Sequence, residues 1–232
     1  MRLAILFIQP TSTPPHGRDE ARPLELTYMQ SNVRSVDVPL LLQNLRSGTA
    51  PLHIALEKRL PFFSPLLSHS HYLRLIKAYY GFYQPLEQRL LQSDAVPADF
   101  GLDQRLKAPT LRRDLLALGL DDAAIDALPQ CPSLPGTLSV QACLGVLYVL
   151  EGATLGGQIL RREIAARLQL AADNGAAFLD IYGAATGRRW REFTDYLGAW
   201  PLEADARQEA VNAAQDTFSS FEHWLDRSEV LL

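Results

Sequence analysis

Cysteine is scarce in this chain: Cys131 and Cys143 are the two among 232 residues. They stand apart from each other, outside C-x-x-C spacing and away from paired histidines, which excludes a zinc ribbon or a disulfide framework and leaves two reduced, buried thiols. Excess charge of one sign is also missing. With 22 basic and 26 acidic side chains the net charge is −4, which argues against nucleic acid as the main partner. The apolar run Leu3–Ile8 is too short to span a bilayer, and the Pro14-Pro15-His16-Gly17 after it is no small-residue cleavage site, so the expectation is a cytoplasmic protein with no membrane partner. No repeat of 20–50 residues and no sustained alternation of period two is present, which excludes solenoids and leaves no basis for a sheet.

What is there is apolar surface: 47% of the residues are hydrophobic, enough for one substantial core, with no composition shift that marks a second domain. Residues 1–36 lack a sustained helical period and read as a loosely structured leader with at most one short strand, Met29 being an alternative start; residues 37–232 read as one helical domain. Leu41, Leu45, Leu52, Leu56 and Leu60 recur at helical spacing up to Pro61, with Pro51 expected to bend the segment near Gly48 or to start a new turn capped by Thr49. A second helix fits Ser70–Gln92, capped by Ser68 or Ser70 and kinked at Pro85. Shorter helices fit Pro109–Leu118 and Asp121–Leu128, followed by a loop over Cys131–Gly136. Beyond a long helix over Leu138–Leu170 come short helices over Gly175–Tyr182 and Thr186–Leu197 and a last one from Pro201 to about Arg227. The pattern is all-α with a bundle-like core.

The long helix carries Gly145, Gly152, Gly156 and Gly157, the last three inside Gly152-Ala153-Thr154-Leu155-Gly156-Gly157. Each glycine in a helix interior costs on the order of 1 kcal/mol relative to alanine. Four of them together point to something that approaches the bare backbone closely.

Of the five histidines, His16, His69, His71 and His223 read as surface or structural residues, whereas His53 has Glu57 one turn on, on the same helical face. A carboxylate so placed orients an imidazole that binds a metal through its other nitrogen, or else forms a plain surface pair. No second histidine or carboxylate falls at zinc-like spacing, and no pair of Glu-x-x-His motifs marks a di-iron centre. A single imidazole suits haem, a flat apolar disc that needs an axial ligand, compact residues on the opposite face and cations at its ionised edge. His53 supplies the first, Gly152, Gly156 and Gly157 the second, and Arg46, Arg188, Arg189 or Arg191 the third, although Arg188-Arg189-Trp190-Arg191 also reads as a solvated helix face.

The T-x-x-x-H-x-x-x-E pattern from Thr49 to Glu57, with Tyr148-Val149-Leu150-Glu151-Gly152-Ala153-Thr154-Leu155-Gly156-Gly157-Gln158, resembles the haem oxygenase family, particularly bacterial members that supply biliverdin to phytochromes. The resemblance runs from about Leu40 to Trp224 and implies a single-domain all-α helical bundle. It implies His53 as the proximal metal ligand, Glu57 as its helical neighbour, and Gly152, Gly156 and Gly157 as the distal wall over the haem. Arg46 falls where relatives carry a basic residue facing a propionate, and Arg191, ranked above Arg188, matches a second such position. Ala153 stands where many relatives have an aspartate that orders water.

By the same resemblance, haem b is both cofactor and substrate, cleaved with O2 and electrons from an external ferredoxin or reductase to biliverdin, CO and ferrous iron, the α isomer being expected. A bacteriophytochrome is the implied acceptor of the product. The different class kept in view is a non-catalytic haem carrier of the same fold, which Ala153 keeps open. A cofactor-free, thiaminase-like enzyme carries little weight, because neither cysteine has an acidic partner close in sequence.

Overall fold

The computed structural model describes residues 38–232, and the leader expected over residues 1–36, with its short strand and Met29, lies outside the described residues. Among the described residues there is no strand. Seven helices follow in order: α1 (Leu40–Arg59), α2 (His69–Leu91), α3 (Ala108–Ala117), α4 (Asp122–Asp126), α5 (Val140–Leu168), α6 (Thr186–Gly198) and α7 (Ala204–Arg227). The helix expected over Gly175–Tyr182 is instead a short 3-10 turn, Ala177–Asp180. Asp114 fixes it by accepting from the Ala177 and Phe178 backbone N–H groups, both at 2.8 Å.

Start signals work as side-chain chemistry requires: Ser68, Asp121 and Ser139 each accept from a backbone N–H in the first turn of α2, α4 and α5. The break expected near Pro51 does not occur. Pro51 lies inside an uninterrupted α1, and the Thr49 hydroxyl, rather than capping a new turn, donates back to the Leu45 carbonyl at 2.7 Å. The helix tolerates the lost donor because the buried Leu41, Leu42, Leu45 and Leu56 hold it in the core, where α1 packs on α7. Pro85 likewise sits inside a continuous α2; the Gly81 carbonyl that it deprives of a helical donor accepts from the Cys131 N–H at 2.8 Å.

The last helix is the spine: α1, α2 and α5 all pack against α7. Trp224 on α7 donates its indole N–H to the Ala78 carbonyl of α2 at 2.6 Å, and Gln215 donates to the Gly48 carbonyl of α1 at 2.8 Å. The closest approach is at Gly145, where an added Cβ would lie 2.1 Å from the Ala210 carbonyl oxygen. The length and apolarity of α5 would suffice to cross a bilayer, but Cys143, Leu144, Val146 and Leu147 are buried in succession, so that apolarity serves the core. A cleft remains between α1 and α5 above this spine.

A cleft between an imidazole and a pared-down helix

The cleft encloses about 1400 Å³, its open mouth included, and α1, α2, α5 and α7 all contribute to its lining. Most of that lining is apolar or aromatic: Phe62, Tyr79, Phe82, Tyr83, Tyr148, Phe178, Trp190, Phe218 and Phe221. Edge-to-face and tilted ring contacts hold these groups together, among them Tyr79 with Phe221 at 5.0 Å and Phe82 with Phe221 at 4.8 Å between centroids.

His53 faces this space from α1, with 19% of its side chain exposed and the Phe218 ring edge-on at 5.8 Å. Burial lowers its proton affinity and so favours the neutral imidazole that a metal requires. Glu57 lies one turn on, its Oε1 3.5 Å from His53 Nε2, an ion-pair distance too long for a strong hydrogen bond. Burial pushes the Glu57 carboxyl up to about 7. Arg46, two turns before His53, also borders the cleft, and its charge reaches Tyr148. Burial raises the Tyr148 phenol, against which the neighbouring Thr49 hydroxyl of α1 and the Arg46 charge act.

The four glycines of α5 divide by what lies next to them. Gly145 is occupied by the backbone of α7, and at Gly157 a Cβ would meet the Leu179 carbonyl oxygen at 2.5 Å. At these two the close approach that the glycines point to is by the protein's own chain. Gly157 does reach the lining, yet its missing side chain makes room for the 3-10 turn whose Phe178 and Leu179 also border the cleft. At Gly152 a Cβ would find nothing nearer than the Trp190 ring at 3.8 Å, so protein packing does not account for that glycine. Gly156 and the exposed Ala153 complete the α5 side of the lining.

The arginines of α6 are corrected too. Trp190, Phe193 and Leu197 form its inward stripe, so Arg188 and Arg191 fall on the outer face. Both are exposed and neither borders the cleft; Arg188 bonds to Glu192 at 2.8 Å. Arg189 lies over the Tyr182 ring at 5.7 Å.

A group that sequence reasoning missed sits behind Gly152. Glu151 is 1% exposed and accepts from Arg105 at 2.6 Å, from Lys107 Nζ at 2.7 Å and from the Tyr182 hydroxyl at 3.0 Å. Glu87, buried on α2, accepts from the Lys107 and Ala108 backbone N–H groups at 2.7 and 2.9 Å and so caps α3. Lys107, also 1% exposed, reaches the cleft lining. The one available signal was Glu151 at an inward position of an apolar helix, which demands a buried cationic partner without saying which.

The residues fit a flat, largely apolar ligand with an ionised edge. One neutral imidazole borders the space on α1, bare backbone at Gly152 borders it on α5, aromatic rings fill the sides, and Arg46 supplies a cation. Among the described residues no cluster of three or more His, Cys, Asp or Glu is placed to hold a metal ion.

Comparison with known proteins points the same way. The family model described as Heme oxygenase matches residues 40–227. The curated protein Heme oxygenase PigA of Pseudomonas aeruginosa is 30% identical over 192 residues, covering 80% of this chain and 94% of its own. The heme oxygenase of Leptospira interrogans superposes with a TM-score of 0.66 at 21% identity, over 81% of this chain and 98% of that one. Heme oxygenase-2 of Synechocystis sp. PCC 6803, solved with heme and NO, gives 0.65 at 21% identity over 82% and 85%. At that identity the two structures speak for the all-α fold alone.

Proposed function

The chain belongs to the heme oxygenase family, and from that premise we propose that it cleaves haem b with O2 and reducing equivalents to biliverdin, CO and ferrous iron, with the α isomer as product. The observation that carries the reading is one cleft bordered by a neutral imidazole on one helix and by a glycine on another whose missing side chain no protein atom replaces. When bound, haem supplies the redox chemistry, and the protein is left with placement and polarity.

In this reading His53 would hold the haem iron, its lone pair kept available by burial. Glu57 restrains the ring without holding it by a short bond. Gly152 and Gly156 let the α5 backbone approach the disc where a side chain would intrude, and Ala153 adds the least possible bulk beside them. Arg46 would hold a propionate at the rim of a bound haem and so orient it. Phe62, Phe82, Phe218 and Phe221 exclude water from the plane of the ring. The electron donor is a ferredoxin or reductase, the site of action the cytoplasm, and a bacteriophytochrome the acceptor of the bilin.

Hemin titration followed by reductant tests the reading. Loss of the Soret band with growth of a biliverdin spectrum is expected; a stable ferrous complex would instead make the protein a haem carrier. His53→Ala should abolish the normal ligation spectrum, and an unchanged spectrum and turnover would overturn the ligand assignment.

A further inference from the structure

Two phenols stand in the wall of the cleft with nothing to bond to. Tyr79 and Tyr83 lie one turn apart on α2, both border the cleft, and only 8% and 3% of their surface is exposed. Tyr72, on the same helix and fully buried, donates its hydroxyl to the Gly175 carbonyl at 3.2 Å. The hydroxyls of Tyr79 and Tyr83 have no such partner among the described residues. Among those residues the one side-chain nitrogen or oxygen both fully enclosed and unpartnered is Arg161 Nε, so each phenol oxygen keeps contact with open space. The open space these side chains border is the cleft. Burial raises both phenols far above neutral pH, so they remain O–H donors. Buried donors left unpaired cost stability, and that cost calls for a reason.

The pair is held as a unit. The two rings stack 6.3 Å apart between centroids and 9° from parallel, each edge-on to Phe178 and Phe221. Their hydroxyls are close enough for the charge of one to act on the other. Helices α1 and α7 run in the same direction, since Gly48 meets Gln215 at one end and Arg59 meets Glu222 at the other. Arg46 lies two turns before His53 on α1, whereas Phe221, against which both phenol rings pack, lies about one turn beyond the Phe218 that abuts His53. Cation and phenols therefore fall on opposite sides of the imidazole.

An intact porphyrin offers acceptors at its propionates, and the edge across the ring from them carries only carbon and hydrogen. Opening the ring at that edge leaves a lactam carbonyl on each cut end. Two donors at the far end of the cleft from the cation thus have no use for the substrate and match the product. We propose that Tyr79 and Tyr83 form a product subsite, in which the two phenol O–H groups donate to the lactam carbonyls of the ring-opened tetrapyrrole and retain it in the cleft. The identity of this ligand rests on the haem-cleaving reading with the α isomer as product.

Biliverdin added directly to the apo protein tests the subsite without turnover. Tyr79→Phe and Tyr83→Phe keep the rings and remove only the donors, so the melting temperature should hold or rise. Each should weaken biliverdin binding about fivefold and the double variant tenfold or more, as read by absorbance titration. Hemin has no acceptor at that edge, so the ratio of biliverdin to hemin affinity should fall with it. The lactam carbonyl band of bound biliverdin in the infrared should move to higher frequency in the variants, which a merely packing role would not cause. Equal weakening of both ligands, an unmoved carbonyl band, or no uptake of biliverdin by the wild type overturns the proposal. Biliverdin held through the phenols by a wild type that leaves hemin intact under reductant sinks the haem-cleaving reading instead. Hemin turned over normally, with biliverdin binding indifferent to both substitutions, sinks the subsite alone.

Discussion

Alanine at Gly145 and at Gly152 should move stability in opposite directions, although both residues lie in the same helix two turns apart. In a helix interior the substitution by itself favours folding by up to about 1 kcal/mol. At Gly152 nothing opposes that gain, because the new Cβ meets only the Trp190 ring at 3.8 Å, an ordinary contact. At Gly145 the Cβ would lie 2.1 Å from the Ala210 carbonyl oxygen and 3.0 Å from the Ala214 nitrogen. Both are backbone atoms of α7, the helix on which three others pack, so no side chain can swing aside. Overpacking of this kind costs about 1–3 kcal/mol where side chains give way, and a backbone clash belongs at or above the top of that range. The expected net loss is about 2 kcal/mol, or about 4–8 °C in melting temperature for a domain of this size. Urea and thermal unfolding of the apo proteins read both values. Gly152→Ala should come out neutral to about 1 kcal/mol more stable, yet bind hemin less tightly because its methyl enters the cleft. Equal effects at the two positions, or a Gly145→Ala protein as stable as the wild type, would refute the division of the glycines into packing and site.

Arg46→Ala should weaken hemin binding about tenfold and change the biliverdin isomer ratio, while Arg191→Ala leaves both unchanged because its side chain lies on the outer face of α6; absorbance titration and chromatography of the product check this. Glu87→Gln keeps the shape but turns one of two acceptors into a donor facing a backbone N–H of α3, so urea unfolding should show a loss of about 1–3 kcal/mol. Burial raises both thiols above their ordinary range and so lowers the thiolate fraction at neutral pH; Cys131 and Cys143 should react with a disulfide reagent slowly in the folded protein, faster as pH rises, and at once in denaturant.

Local chemistry was legible wherever one stretch of chain settles it. The α2 cap at one of Ser68 and Ser70, the acidic start of the helix at Asp121, the spacing that brings Glu57 one turn from His53, and the helical run through Gly152 follow from residues within a few positions of each other, because a helix fixes its own neighbours at three and four residues. The glycines announced a close approach but not by what: Ala210 and Leu179 fill two of those places and the cleft borders another, a choice made by the docking of α7 and of the 3-10 turn. Arg188 and Arg191 were attractive by composition, yet Trp190, Phe193 and Leu197 claimed the inward face of α6 and turned them to solvent. The Lys107–Glu151 pair spans 44 positions, and burial drives that partnership only once α5 lies across the segment before α3. Periodicity determines which face of a helix is apolar; which chain, ligand or charge meets that face is decided by packing, since the free energy of burial depends on the neighbour that is there.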